Sequence, residues 1–289
     1  MIGHLWKTVR PVHWIKNSFV FAPLFFSGHF TDIDKLLRVF VIFFSFSAMA
    51  SAVYCLNDIM DRERDRKHPV KCKRPIASGA LSVRKGFFLG VGLAMLSLAL
   101  ASFVGTQPIF LLLLYTTTNI LYSMWLKHLV IVDVFCIAIM FVLRVFTGGT
   151  AVNIGVSSWL VMTTFLLALF LALAKRRQEL SLFEGASIHR PVLDQYTSRL
   201  ADEMMSLITP VILVTYILYT LSPETMTHFN SKILYITSIY VVFGIMRYLY
   251  LVHRVNLGYD PTELIIHDFP LLTAILGWIL NFYFIIYIS

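Results

Sequence analysis

The sequence predicts an all-α polytopic membrane protein, a bundle of nine transmembrane helices forming a single domain over residues 1–289. Three observations carry that expectation. Residues of the AVILMFWYC set make up 58% of the chain and charged residues 14%, against roughly 45–50% and about 25% in soluble domains. Apolar stretches of bilayer-crossing length recur along the whole chain, and the basic residues fall into alternate connections. A chain so composed cannot cover itself with polar surface, which excludes an ordinary water-soluble enzyme, a disordered scaffold and a disulfide-built secreted module. Cys55, Cys72 and Cys136 form no CxxC pair and imply neither a disulfide framework nor a zinc site.

A transmembrane helix takes about 20 mostly apolar residues. The first candidate, 17–30, is short and contains Pro23, a residue that bends helices. The second, 36–56, runs directly into a polar segment that begins at Asn57. Stretches 86–104, 108–126 and 129–147 follow with brief connections, and 157–174 leads into a second polar segment. Stretches 204–222, 233–252 and 269–288 complete the set. Between Met1 and Lys16 no apolar run is long enough for the core of a signal peptide. The two polar connections, about 57–85 and 175–203, are long, and connections of that length are often functional.

Nine spans put the termini on opposite sides, and short loops rich in Lys and Arg stay cytoplasmic. With the N-terminus inside, only Lys35, Arg38 and Lys232 of the 24 Lys and Arg fall outside, and Arg144 falls within a span. This reading places the N-terminus and both long connections in the cytoplasm, the C-terminus outside, and the protein in the cell's inner membrane. The net charge of +8 is then partitioned by topology, with no soluble domain to present it, so nucleic acid is not a partner. Arg144, costly in lipid, should face the bundle interior against a backbone carbonyl or helix end.

The segment Asn57-Asp58-Ile59-Met60-Asp61-Arg62-Glu63-Arg64-Asp65 continues from the apolar run ending at Leu56. At about 100° per residue, Asn57, Asp58, Asp61 and Asp65 share one arc of about 100°. Carboxylates so close repel unless a cation neutralises them, and oxygen ligands of this kind suit Mg²⁺ carrying a diphosphate. A solvated helix end is the alternative. His68-Pro69 ends the helix, because the residue before proline is pushed out of the α region. Downstream, Lys73 and Arg74 are cations within reach, as phosphate ligands or as membrane-surface anchors. A cation transporter also places carboxylates beside helices, but its site is expected near the bilayer midplane, not at the membrane edge beside a basic loop.

An Asn-Asp-x-x-Asp-x-x-x-Asp motif closing the second of nine helices resembles the UbiA superfamily of intramembrane prenyltransferases. That resemblance implies a UbiA-like helical bundle with an Mg²⁺–diphosphate site on the cytoplasmic side. The blocks Arg10-Pro11-Val12-His13-Trp14-Ile15-Lys16-Asn17, Lys73-Arg74-Pro75-Ile76-Ala77-Ser78-Gly79, Tyr122-Ser123-Met124-Trp125-Leu126-Lys127-His128 and Ala174-Lys175-Arg176-Arg177-Gln178-Glu179-Leu180 are similar to one branch, the decaprenyl-phosphate phosphoribosyltransferases. These move 5-phosphoribose from phosphoribosyl diphosphate to a polyprenyl phosphate. Two departures from the usual superfamily pattern are shared with that branch. Lys175, Arg176, Arg177, Glu179 and Glu184 stand where a second aspartate-rich motif is usual, and the tyrosine–lysine element, Tyr122 to Lys127, is one residue longer.

The resemblance implies catalytic and metal roles for Asp58, Asp61 and Asp65, with Asn57 orienting, and donor contacts from Lys73, Arg74, Tyr122 and Lys127. Lys175 and Arg176 form a cationic cluster suited to the donor's second phosphate, or anchor a helix end; Glu179 lies beside them as a further substrate-side residue. Lys16 is placed at the acceptor phosphate or, beside Trp14, as an interfacial lysine. Asp260-Pro261-Thr262-Glu263 reads as a helix cap or as a ribose or metal contact. A second copy of the chain is admitted as a partner without being required. The rival reading is a prenyltransferase moving a prenyl group from its diphosphate to an aromatic or other acceptor.

Overall fold

A computed structural model of the chain describes residues 2–182, 195–254, 264 and 267–288. Among them every regular element is helical. In chain order these are α1 (Ile2–Val9), a 3₁₀ run (Pro11–Phe21), α2 (Ala22–Phe26), α3 (Ile33–Met60), α4 (Arg62–Lys67), α5 (Val83–Ser102) and α6 (Thr106–Met124). Then come α7 (Val132–Ala151), α8 (Ser158–Leu182), α9 (Ser198–Leu221), α10 (Pro223–Phe229), α11 (Ser238–Arg254) and α12 (Phe269–Tyr287). They gather into two compact units, Met1–Lys127 with Ile139–Val156, and His128–Ala138 with Ser157–Ser289.

Seven of the described helices are long and apolar enough to cross a membrane: α3, α5, α7, α8, α9, α11 with its preceding 3₁₀ turn, and α12. Among the described residues the count of nine spanning α-helices is not reached, for two reasons. Helix α6 has the length, but Gln107, Thr116, Thr117, Thr118 and Asn119 dilute its apolar character. The 17–30 stretch is not one α-helix. Pro11 opens a 3₁₀ run, Pro23 sits in the first turn of α2, and Gly28 turns the chain at φ +76°. A 3₁₀ helix rises about 2.0 Å per residue against 1.5 Å, so Pro11–Phe26 still reaches roughly the 30 Å thickness of a hydrocarbon core.

The helix ends follow from their sequence. Asp32, Ser82, Thr197 and Asp268 each accept a backbone N–H three residues on, at 3.2, 3.3, 3.0 and 2.8 Å, and so cap α3, α5, α9 and α12. Along α5 only 17% of the apolar window is buried, and Phe87, Phe88, Met95 and Leu96 face outward. Outward apolar surface on that scale belongs in lipid.

Within the first unit α3 and α5 approach closely because small residues line the seam. A Cβ added at Gly90 would lie 3.2 Å from the Cys55 Cβ, and Ser45 donates to the Ser97 carbonyl at 2.7 Å. The 3₁₀ run docks on α7, where a Cβ at Gly148 would fall 1.9 Å from the Val20 carbonyl oxygen, so only glycine fits. Arg144 of α7 is buried beneath it. Its guanidinium donates to Asn17 Oδ1 at 2.9 Å, the Met140 carbonyl at 2.7 Å and the Tyr115 hydroxyl at 3.3 Å, and lies about 5 Å from the ring centres of Phe46, Tyr115 and Phe141. In the second unit Trp278 Nε1 donates to the Tyr216 hydroxyl at 2.6 Å, which also pairs with Thr237 at 2.8 Å.

The two polar connections are more helical than expected. Helix α3 runs to Met60 and α4 takes up Arg62–Lys67. Lys175 to Leu182 belong to α8. Glu184, Arg190, Asp260, Pro261, Thr262 and Glu263 lie outside the described residues.

Candidate active site

Helix α3 carries its backbone ladder past the apolar run. The Asp61 N–H donates to the Asn57 carbonyl and the Asp65 N–H to the Asp61 carbonyl, both at 2.8 Å. At Asp61 the chain bends (φ −89°, ψ 6°) and enters α4 without losing register. His68 is extended (φ −87°, ψ 133°), as a residue before proline must be, and ends α4. Asn57, Asp58, Asp61 and Asp65 therefore stand on adjoining turns.

Each carboxylate on this face meets a cation. Arg10 and Arg74 both bond Asp58 Oδ1, Arg74 at 3.2 Å, and the same Arg74 Nη1 reaches Asp65 Oδ2 at 2.6 Å. Lys127 Nζ lies 3.0 Å from Asp61 Oδ1, and Ser123 donates to Asn57 Oδ1 at 2.7 Å. Asp58 and Asp65 are buried, at 1% and 5% side-chain exposure. Among the described residues no three His, Cys, Asp or Glu side chains converge as a ready metal cluster. Mutual repulsion is relieved by ion pairing instead.

The donor set still fits a hard cation. All four side chains offer oxygen, the ligand Mg²⁺ takes. Asp58 Oδ2 is buried and has no hydrogen-bond partner, an orphaned anionic oxygen whose desolvation a cation would repay.

The cations come from three places. The 3₁₀ turn Lys71–Lys73 delivers Arg74, and Arg66 Nε on α4 ties this segment down through the Ala77 carbonyl at 3.1 Å. Lys73 is exposed and has no carboxylate partner among the described residues. Lys127 follows α6 on the 3₁₀ turn Leu126–His128, with Tyr122 half-buried beside Ser123 on the last turn of α6. Lys16 is half-buried on the 3₁₀ run, next to Asn17, which is held by Ser47 at 3.0 Å.

Arg10 was not among the residues expected at the site. It joins α1 to the 3₁₀ run in a left-handed conformation (φ 53°, ψ 60°) and stacks over Tyr54 at 5.0 Å. The one sequence signal was its place before Pro11, which bars the α region and lets the chain turn there.

In the second unit the structure gives Arg176 a different setting from the one expected. It is 1% exposed, donating from Nε to Asp133 Oδ2 at 2.8 Å and from Nη1 to Glu179 Oε2 at 2.6 Å. Asp133 also accepts the Tyr196 hydroxyl at 2.9 Å, which in turn takes the Ile131 N–H at 2.9 Å. Burial pushes the Tyr196 hydroxyl pKa up, and the Asp133 carboxylate adds to this, so it stays a neutral donor. Asp133, missed by sequence, announced itself as a carboxylate at the start of a span, where it must find a partner. Lys175 is half-buried one residue before Arg176.

Residues 18–266 match the pattern of the UbiA prenyltransferase family. The chain belongs to that family. It is 31% identical over 291 residues to decaprenyl-phosphate phosphoribosyltransferase of Mycolicibacterium smegmatis, covering 96% of this chain and 91% of the relative. It is 30% identical over 289 residues to the protein of the same name from Corynebacterium glutamicum, covering 98% and 86%. A solved UbiA homolog from Archaeoglobus fulgidus, bound to GPP and Mg²⁺, superposes with a TM-score of 0.72 at 17% identity, over 98% of this chain and 99% of that one. The chain is thus an all-helical integral membrane transferase with the UbiA fold.

Proposed function

We propose that the protein transfers 5-phosphoribose from phosphoribosyl diphosphate to a polyprenyl phosphate, with Mg²⁺. The observation that supports this most is the buried acidic face of α3 and α4 interleaved with Arg10, Arg74 and Lys127, an arrangement with oxygen donors for a metal and guanidinium or ammonium groups for a diphosphate. The likeness of nearly the whole chain to two phosphoribosyltransferases supports the choice of donor.

Asp58, Asp61 and Asp65, with Asn57 orienting, would hold Mg²⁺, which when bound would supply positive charge for the leaving diphosphate. The chain's own work is positioning and charge stabilisation. Arg74 and Lys127, with Lys73 and Tyr122 beside them, take phosphate oxygens as the bond to C1 breaks and an oxocarbenium-like ribose forms. The nucleophile is the acceptor's phosphate, already anionic near neutral pH, so no strong general base is required. Lys16 holds that phosphate. Lys175 is assigned to the donor's second phosphate, with Arg176 fixing Glu179 rather than binding substrate itself.

The sidedness of the basic residues supports a cytoplasmic N-terminus and a cytoplasmic site in the inner membrane. The purified protein, given labelled phosphoribosyl diphosphate, polyprenyl phosphate and Mg²⁺, is expected to form a labelled lipid. Activity with prenyl diphosphates alone would reject the proposal in favour of prenyl transfer.

A further inference from the structure

The Asp58 carboxylate is served unevenly. Two guanidinium groups, from Arg10 and Arg74, crowd Oδ1, while Oδ2 is buried with no hydrogen-bond partner. Arg74 has a second carboxylate, Asp65, and remains paired if it leaves Asp58. Arg10 is ion-paired with Asp58 alone among the described residues, reaches it from a different segment of the chain, and is aimed by a left-handed backbone, a conformation that a residue with a side chain adopts only under constraint. It leads into an 11-residue 3₁₀ run, far longer than the 3–4 residues such runs usually last.

We propose that Arg10 is a displaceable counter-ion. It neutralises Asp58 until a divalent cation arrives with a diphosphate, and its guanidinium then passes from Asp58 to a diphosphate oxygen. The proposal rests on the assignment of a metal–diphosphate site made above and gives Arg10, one of the cations of that site, the further role of coupling metal to diphosphate. Charge balance favours the exchange. The three carboxylates Asp58, Asp61 and Asp65 are matched here by Arg10, Arg74 and Lys127. A bare metal ion must expel a cation that then has no anion to receive it, whereas a metal ion accompanied by diphosphate brings the receiving anion with it. A buried charge left unpaired is strongly unfavourable, so metal and diphosphate bind with positive coupling through Arg10. Such coupling is reciprocal, and typically amounts to roughly 5–150-fold.

The test measures Mn²⁺ binding to the full-length detergent-solubilised protein by electron paramagnetic resonance, with and without inorganic diphosphate. In the unaltered protein, diphosphate is expected to tighten Mn²⁺ binding about tenfold or more. Arg10→Gln is expected to tighten bare Mn²⁺ and to reduce the effect of diphosphate to about twofold or less. Arg10→Lys, which keeps the charge, should retain most of the coupling. A site merely damaged by the substitution loses affinity for bare metal, the opposite sign. Unchanged or weaker binding of bare Mn²⁺ by Arg10→Gln, with coupling intact, overturns the proposal while leaving the metal–diphosphate site standing. Absence of Mn²⁺ binding by the unaltered protein even with diphosphate overturns both.

Discussion

Arg74 is the residue on which the acidic face turns, since one nitrogen holds both Asp58 and Asp65. Removing one partner of a buried ion pair costs about 3–5 kcal/mol. Arg74 is 28% exposed, so water screens part of that, and Arg10 still serves Asp58. Arg74→Gln is therefore expected to cost about 2–3 kcal/mol, a fall of about 3–5 °C in melting temperature for a protein of this size. Asp65→Asn removes the charge that Arg74 leaves stranded. The double variant should accordingly melt above Arg74→Gln alone, with a coupling energy of about 1–2 kcal/mol. Intrinsic-fluorescence melts in detergent measure all three proteins against the unaltered chain. Both Arg74→Gln and the double variant should lose most transfer activity, because stability is regained without the phosphate ligand. An unchanged melt for Arg74→Gln, or strictly additive losses in the double variant, would refute the reasoning.

Four further outcomes are expected. Asp61→Asn should lower kcat by about 10²–10³-fold while the protein still melts cooperatively, since little volume is lost but one charged oxygen donor is; near-normal turnover argues against the acidic face as the site. Asp133→Asn strands the buried Arg176 and should destabilise the protein by about 3–5 kcal/mol, read as a lowered melt. Lys175→Ala should raise the KM for phosphoribosyl diphosphate; an unchanged KM marks the residue as an anchor. Arg247, at 2.8 Å, together with the Leu271 N–H, holds the Asp268 pKa below its ordinary 3.8. A carboxylate lowered in the folded state adds stability above its unfolded pKa and loses it as pH falls through the folded one. Asp268→Asn should therefore lower the melt at neutral pH and flatten the decline below about pH 4, which melts across that range would show.

The acidic face was legible because its members are separated by helical spacings, and the ladder through Asn57, Asp61 and Asp65 kept that spacing across a bend no local pattern announced. The backbone of the 17–30 stretch was only partly legible, because apolar content measures affinity for lipid, whereas Pro11 and Pro23 decide how the backbone meets it. Arg10 lies 48 residues from Asp58, and pairing over such a separation leaves no periodic trace. Arg176 shows the converse. Its neighbours Lys175 and Arg177 make it look like one of a basic cluster, yet its side chain turns inward because Asp133, on another helix, needs a cation.

The most direct test of the account is an experimental structure of the protein with Mg²⁺ and phosphoribosyl diphosphate bound. The diphosphate should lie against Asp58, Asp61 and Asp65 with Arg74 and Lys127 on its oxygens. A diphosphate bound away from these residues, with Arg74 still bridging Asp58 and Asp65 as it does here, would contradict it.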